Sequence, residues 1–380
     1  MQRSGAYVKQ QTDYRVFIPA PLPPKPAVKI EGDLQNLLSR ADMALARLDG
    51  VAQILPNVDL FIAMYVKKEA LLSSQIEGTQ ASLDDLFAYE SGDKLENLND
   101  VTEVVNYVKA MNYGIERLQS LPMSLRLIKE IHAILLEGVR GSERLPGEFK
   151  RSQNWIGPPG CTLNEASYVP PPPHETFEAM GALEHYFHDK ERLPVLIDCA
   201  LIHYQFETIH PFLDGNGRMG RLLITFYLCW KGILHKPLLY LSYYFKRNRQ
   251  EYYDRLNMVR ETGNYEQWVD YFLKGVVEIA GAAMDTARQI LELQSRHRRL
   301  LWEKKISSPL AVGILEQLFY TPTVSIGQIA ERFNISYQAA STLVSQLEKA
   351  KILRETTGRK RDKRYVYSDY LDILAEGTKI

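Results

Sequence analysis

Residues 210–221 read His-Pro-Phe-Leu-Asp-Gly-Asn-Gly-Arg-Met-Gly-Arg, and they stand between two stretches of helical periodicity. Before them, Val195, Cys199, Ile202 and Phe206 recur at helical spacing. After them, Met219, Leu222, Leu223, Phe226, Tyr227 and Trp230 keep one helical face apolar. Two apolar helices joined by so short a loop imply a helix pair with the loop at one end. Pro211 stops the first helix, and Gly215 and Gly217 let the backbone reach positive φ and turn its amides toward one point. Such a nest of amides, backed by the positive end of the next helix, is an anion site. Arg218 and Arg221 fall on one face of the first turn and reach the same anion, for which several linked phosphates fit best. Asp214 beside phosphates calls for a divalent cation such as Mg²⁺ between them. His210 is the side chain here that exchanges a proton near neutral pH.

Gly215-x-Gly217-x-x-Gly220 also matches the dinucleotide fingerprint. That motif needs a strand before it and an acidic residue about 20 positions on. A helix precedes it here, and no Asp or Glu lies between Arg218 and Gln250, so a dinucleotide fold is excluded.

The run His-Pro-Phe-x-Asp-Gly-Asn-Gly-Arg-x-x-Arg resembles the active-site signature of Fic-domain proteins at every fixed position. Farther upstream, Ser73-Ser74-Gln75-Ile76-Glu77-Gly78 resembles the family's inhibitory motif, Ser/Thr-x-x-x-Glu-Gly/Asn. The resemblance covers roughly residues 60–275. It implies a mostly α fold, a helical bundle with a β-hairpin flap, that transfers AMP from ATP to Ser, Thr or Tyr hydroxyls of proteins, itself included. His210 would be the base, and Asp214 would hold Mg²⁺. Gly215, Asn216, Gly217, Arg218 and Arg221 would cradle the phosphates. Ser73 and Glu77 would be regulatory, with Glu77 pairing Arg221 and blocking the productive pose of ATP. Two rivals stand beside this reading. The same site could remove AMP from a modified protein, with Glu77 positioning a water, or the protein could be a DNA-binding regulator whose Fic domain senses ATP.

The order of segments gives the domains. Residues 1–56 are read as an N-terminal arm and helix, with Pro19, Pro21, Pro23, Pro24 and Pro26 favouring an extended arm. Residues 57–290 form the Fic-type domain, its inhibitory helix at 58–78. The one strand-like stretch, 149–157 with 168–170 around a turn at 157–160, is read as the flap that would pair with a target backbone. The aromatic, basic stretch 240–253 near the phosphate loop suits a stacked adenine, and Tyr244 and Asn248 are the residues singled out for base or ribose contact. Residues 291–305 are read as a charged helical connector. In 306–380, three helices and a basic hairpin resemble a winged helix-turn-helix domain. Its wing, 354–364, has six basic residues (Arg354, Arg359, Lys360, Arg361, Lys363, Arg364) against two acidic ones, so DNA is a candidate partner.

Composition narrows the rest. Formal net charge is zero, which argues against nucleic-acid binding over the whole surface. The three cysteines, Cys161, Cys199 and Cys229, lack metal spacing, and the eight histidines form no zinc pattern. The first residues carry no secretory pattern, and no apolar run is long enough to span a bilayer, so a cytoplasmic protein without membrane contact is expected. Oligomeric state is left open, a homodimer included.

Overall fold

A computed structural model describes all residues except 1–2, 12–13, 55–57, 91, 93–94, 96, 159, 190–192, 360–361 and 376–380. The chain starts with a hairpin of β1 (Gly5–Lys9) and β2 (Arg15–Pro19), followed by the helices α1 (Asp33–Ile54), α2 (Val58–Ile76), α3 (Leu83–Glu90), α4 (Leu98–Arg117) and α5 (Leu125–Leu135). Then come α6 (Pro173–Phe187), α7 (Val195–Ile209), α8 (Asn216–Trp230), α9 (Ser242–Arg247), α10 (Arg249–Thr262) and the long α11 (Tyr265–Glu303). The last unit holds α12 (Pro309–Tyr320), β3 (Thr323–Ser325), α13 (Ile326–Arg332), α14 (Tyr337–Lys349), β4 (Arg354–Glu355), β5 (Arg364–Val366) and α15 (Ser368–Ala375).

The mostly α reading holds, and α7 and α8 form its centre. Nearly every residue of both is buried, as the apolar spacing on either side of the loop requires. Two of the polar groups inside α7 tie it to its neighbours. Asp198 accepts hydrogen bonds from the Tyr186 and Tyr227 hydroxyls. His203 bonds the Gly220 carbonyl through Nδ1 (2.9 Å) and the Tyr252 hydroxyl through Nε2 (2.8 Å), which ties α7 to α8 and α10. The carbonyl end of that chain fixes Nδ1 as the donor, and burial pushes this ring's pKa down to about 3, so it is a neutral strut.

Four expectations need correction. The N-terminal segment is more than an extended arm: Val16 and Phe17 of β2 are fully buried, and the Phe17 amide donates to the Val169 carbonyl (2.9 Å) beside the flap. So short an apolar run, Val16 to Ile18 with a proline next to it, gave no strand signal. The flap itself is slighter than a two-stranded hairpin. Ile156 and Tyr168 form a single antiparallel bridge, and a short 3₁₀ turn, Leu163–Glu165, capped by Thr162, occupies the loop between them. Residues 291–305 are not a separate connector either. α11 runs unbroken across position 290, because Ile290, Leu293, His297 and Leu301 stay buried at helical spacing. Nor is 1–56 a separate unit, since α1 packs along α11.

In the last unit, β3, β5 and β4 form an antiparallel sheet in that order, with Val324 opposite Tyr365 and Tyr365 opposite Glu355. Ser308, Ser325 and Ser336 cap its three main helices through their side chains. Lys360 and Arg361, at the wing tip, lie outside the described residues. α12 and α15 rest on α2 and α11, and the His297 ring meets the Tyr367 hydroxyl (2.8 Å) at that seam.

Phe17 packs on Tyr7 and Tyr168 with no exposed surface. Phe17→Ala is expected to cost roughly 3–5 kcal/mol, measured as the shift in the urea unfolding midpoint; a loss near zero would show that the hairpin is an ornament of the fold.

Candidate active site

The loop between α7 and α8 is held from three sides. His210 caps α7 in a left-handed conformation (φ 49°, ψ 61°), which turns its ring out of the helix toward a cavity. Asn216 closes the turn on itself: its Oδ1 accepts from the Phe212 amide and its Nδ2 donates to the Phe212 carbonyl, both at 2.8 Å. From the flap side, Asn154 Nδ2 donates to the carbonyls of His210 (3.1 Å) and Phe212 (2.7 Å). Lys150, also from that segment, is buried and donates through Nζ to Asn154 Oδ1 (2.8 Å) and to the carbonyl of His210 (3.1 Å). Burial pushes its ammonium pKa down to about 7. From α5, the His132 ring stacks on Phe212 (centroids 3.6 Å apart). Its Nδ1 accepts from the Gly147 amide, so its Nε2 carries the proton donated to the Asp214 carbonyl (2.9 Å). Burial lowers this pKa to about 4 and keeps the ring neutral.

The loop amides expected to cradle phosphate are not all engaged alike. The Gly215 amide donates to Asp214 Oδ1 (2.7 Å) and is spent inside the loop. The amides of Asn216 and Gly217 belong to the first turn of α8, where no helical carbonyl stands opposite them. Arg218 is buried, 3.4 Å from the buried carboxylate of Glu103, and its Nε has no partner. Asp214 keeps part of its carboxylate exposed, 4.0 Å from Arg218. Among the described residues no cluster of three or more acidic, His or Cys ligands surrounds it. A lone, partly open carboxylate beside a phosphate cradle suits Mg²⁺, a cation commonly held by one or two carboxylates plus phosphate oxygens.

Arg221 is the most tightly held group of the site. Nε donates to Ser73 Oγ (2.7 Å), and Nη2 donates to the Ser73 carbonyl (3.0 Å) and to Glu77 Oε1 (2.7 Å). Ser73 in the last turn of α2 and Glu77 just past its end thus grip a single guanidinium, as their spacing predicts. Desolvation works to raise the Glu77 carboxyl, but Arg221 and then Arg218 outweigh it and hold it below its usual range. The approach needs a bare α8: a Cβ on Gly217 would collide with Glu77 Oε1. Glu69, two turns upstream on α2, is buried beneath the Ser242 and Tyr107 hydroxyls and anchors this helix to α9 and α4.

His210, Glu77, Gly217 and Arg221 share a cavity of about 550 Å³, roofed by Trp155, Ile156 and Tyr168 of the flap. Desolvation, followed by the charge of Lys150, pushes the His210 pKa down to about 3 against the pull of Glu77, so the imidazole is unprotonated at neutral pH. Tyr244 and Asn248 do not line this space. Tyr244 lies against Gly275 and Tyr271, and Asn248 donates to the Tyr244 carbonyl at the junction of α9 and α10. Arg249, Tyr252, Tyr253 and Asn257 of α10 face the cavity in their place. Aromatic composition alone could not tell which face of that segment turns inward. Glu207 and Arg260, also unforeseen, complete the wall. Burial drives the Glu207 carboxyl up to about 7 against the pull of Arg221. Its signal was in the sequence: an acidic residue one turn before His210, near the end of a mostly apolar helix.

Comparison with known proteins agrees with this geometry. The Fic/DOC family N-terminal model matches residues 35–116, and the Fic/DOC family model matches residues 122–228. The protein adenylyltransferase Fic of Drosophila grimshawi is 31% identical over 169 residues, 44% of this chain and 32% of its own length. That of Aedes aegypti is 28% identical over 232 residues, 60% of this chain and 41% of its own length. The chain therefore spans well under two thirds of these relatives. Among solved structures, a Fic family protein from Desulfovibrio desulfuricans superposes with a TM-score of 0.58 at 19% identity, covering 90% of this chain and 97% of that one. A Fic domain containing signaling protein from Bacteroides thetaiotaomicron gives 0.51 at 19%, covering 68% and 97%. At such identity the two structures speak for the fold alone.

Because Asn216 closes the loop through two buried hydrogen bonds, Asn216→Ala should destabilise the chain by roughly 1–3 kcal/mol and speed exchange of the Phe212 amide. Unchanged exchange there would show that the flap alone holds the turn.

Proposed function

Because this chain is a Fic-domain protein, we propose that it is a protein adenylyltransferase, moving AMP from ATP to a hydroxyl side chain of a protein, and that Glu77 holds it back by pairing with Arg221. The observation that carries this reading is the meeting of an unprotonated His210, the bare first turn at Gly217 and the guanidinium of Arg221 in one flap-covered cavity. In the reaction, the acceptor oxygen attacks the α-phosphorus and its proton passes to His210, while the bond to the bridging oxygen breaks and pyrophosphate leaves. Arg218 and Arg221 offset the charge of the leaving group, and the amides of Asn216 and Gly217 hold its oxygens. Mg²⁺, held by Asp214, would neutralise phosphate charge there. The exposed Trp155 and Ile156 beside the Ile156–Tyr168 bridge offer an edge on which a target segment can lie in extended form. Self-modification uses the same chemistry on a hydroxyl of this chain or a second copy.

The inhibition follows from competition. A triphosphate needs the guanidinium that Ser73 and Glu77 now occupy, and the Glu77 carboxylate would repel it. A partly exposed Arg–carboxylate pair contributes only about 1–2 kcal/mol, so the block is reversible. In residues 306–380, the order of helix, strand, helix, helix and hairpin supports reading this unit as a winged helix-turn-helix.

Glu77→Gly is expected to raise incorporation of labelled AMP, into itself and into lysate proteins, by about tenfold or more; incorporation no faster than in the unaltered chain would rule out the inhibitory role. His210→Ala is expected to abolish transfer while calorimetry still finds ATP bound, and transfer surviving that change would remove His210 as the base.

A further inference from the structure

Glu77 is not the only carboxylate turned toward Arg221. Gly217 and Gly220 stand three apart on α8, on one face. A Cβ on Gly217 would collide with Glu77 Oε1, and a Cβ on Gly220 would collide with Glu207 Oε1. Two glycine gaps thus seat two carboxylates side by side along the helix that carries Arg221. The guanidinium lies in the same strip, its Nη1 3.0 Å from where a Gly217 Cβ would stand. The two carboxylates are treated differently. Glu77 bonds Arg221 directly, whereas Glu207 Oε1 is buried with no hydrogen-bond partner, and among the described residues no cation lies within ion-pair distance of it.

Leaving a buried carboxylate unpaired costs folding free energy, and an amide of the same shape would fill the space without that cost. We propose that Glu207 is a competing carboxylate for Arg221, one that weakens the Glu77 clamp by repulsion across the guanidinium and also opposes the incoming triphosphate. The inference rests on the reading of Glu77 as an inhibitor of ATP use. With both carboxylates ionised, the trio of Glu77, Arg221 and Glu207 carries one net negative charge. Neutralising Glu207 lets Glu77 hold Arg221 more firmly. Once Glu77 is gone, the same change leaves Arg221 with no carboxylate competing against the phosphates. With Glu77 removed, only the second of these effects is left to read.

The test compares four full-length chains, unaltered, Glu207→Gln, Glu77→Gly and the double variant, at pH 8, measuring AMP incorporation and ATP dissociation constants by calorimetry. Glu207→Gln is expected to tighten ATP binding by the Glu77→Gly chain about three- to tenfold. Its melting temperature should stay level or rise. Weaker ATP binding in the double variant would mean that Glu207 holds Arg221 in place, and it would overturn the proposal. No change in that affinity, or a melting temperature lower by several degrees, would overturn it as well. Should Glu77→Gly itself bring no gain, the inhibitory reading fails separately, and the ATP affinities of the two Glu77→Gly chains still decide the effect of Glu207.

Discussion

A guanidinium taken almost wholly out of water must find its partners inside the protein, and Arg221 finds them on α2. Much of the architecture serves that contact. α2 has to arrive beside α8 at a fixed height, so Phe61, Met64, Val66, Ala70 and Leu71 are packed into the core, and Glu69 is locked under α9. α8 has to present no side chain at positions 217 and 220, so glycine stands at both. Packing and electrostatics therefore converge on one side chain, and the contact between Glu77 and Arg221 follows from how the helices meet.

The loop that carries His210 is rigid for a related reason. Its backbone carbonyls cannot all be satisfied within a turn that holds two residues at positive φ, so Lys150, Asn154 and His132 reach in from other segments to meet them. A buried lysine is an expensive way to do this, and its depressed pKa records the strain between burial and charge. These braces also tie the flap segment, the roof of the cavity, to the loop that forms its floor.

What could be read from the sequence divides along physical lines. The twelve-residue loop was legible because its chemistry is local: glycines, arginines and a histidine at fixed spacing within twelve residues. Ser73 and Glu77 were legible because i, i+4 spacing fixes a shared face. Lys150 was not, since nothing in Phe149-Lys150-Arg151 tells which of two adjacent basic residues will be buried; the structure buries Lys150 and leaves Arg151 exposed. Tyr244 was misplaced for the same reason, with aromatic rings on every side of α9 and α10 and the inward face decided by α11. The shift toward charged residues after 288 suggested a boundary, yet the apolar spacing of Leu293, His297 and Leu301 carried the helix through it.

That continuous helix has a geometric corollary. At 1.5 Å per residue, the 39 residues of α11 make a rod of roughly 58 Å, with Tyr271 against Tyr244 near one end and His297 against Tyr367 near the other. A rod has phase as well as length. Each residue added to or removed from its middle would swing the terminal unit by about 100° around the axis, which α12 and α15, already resting on α2, cannot follow. Only changes close to whole turns are compatible with both ends, so register along this segment is under as strict a constraint as any residue in the cavity.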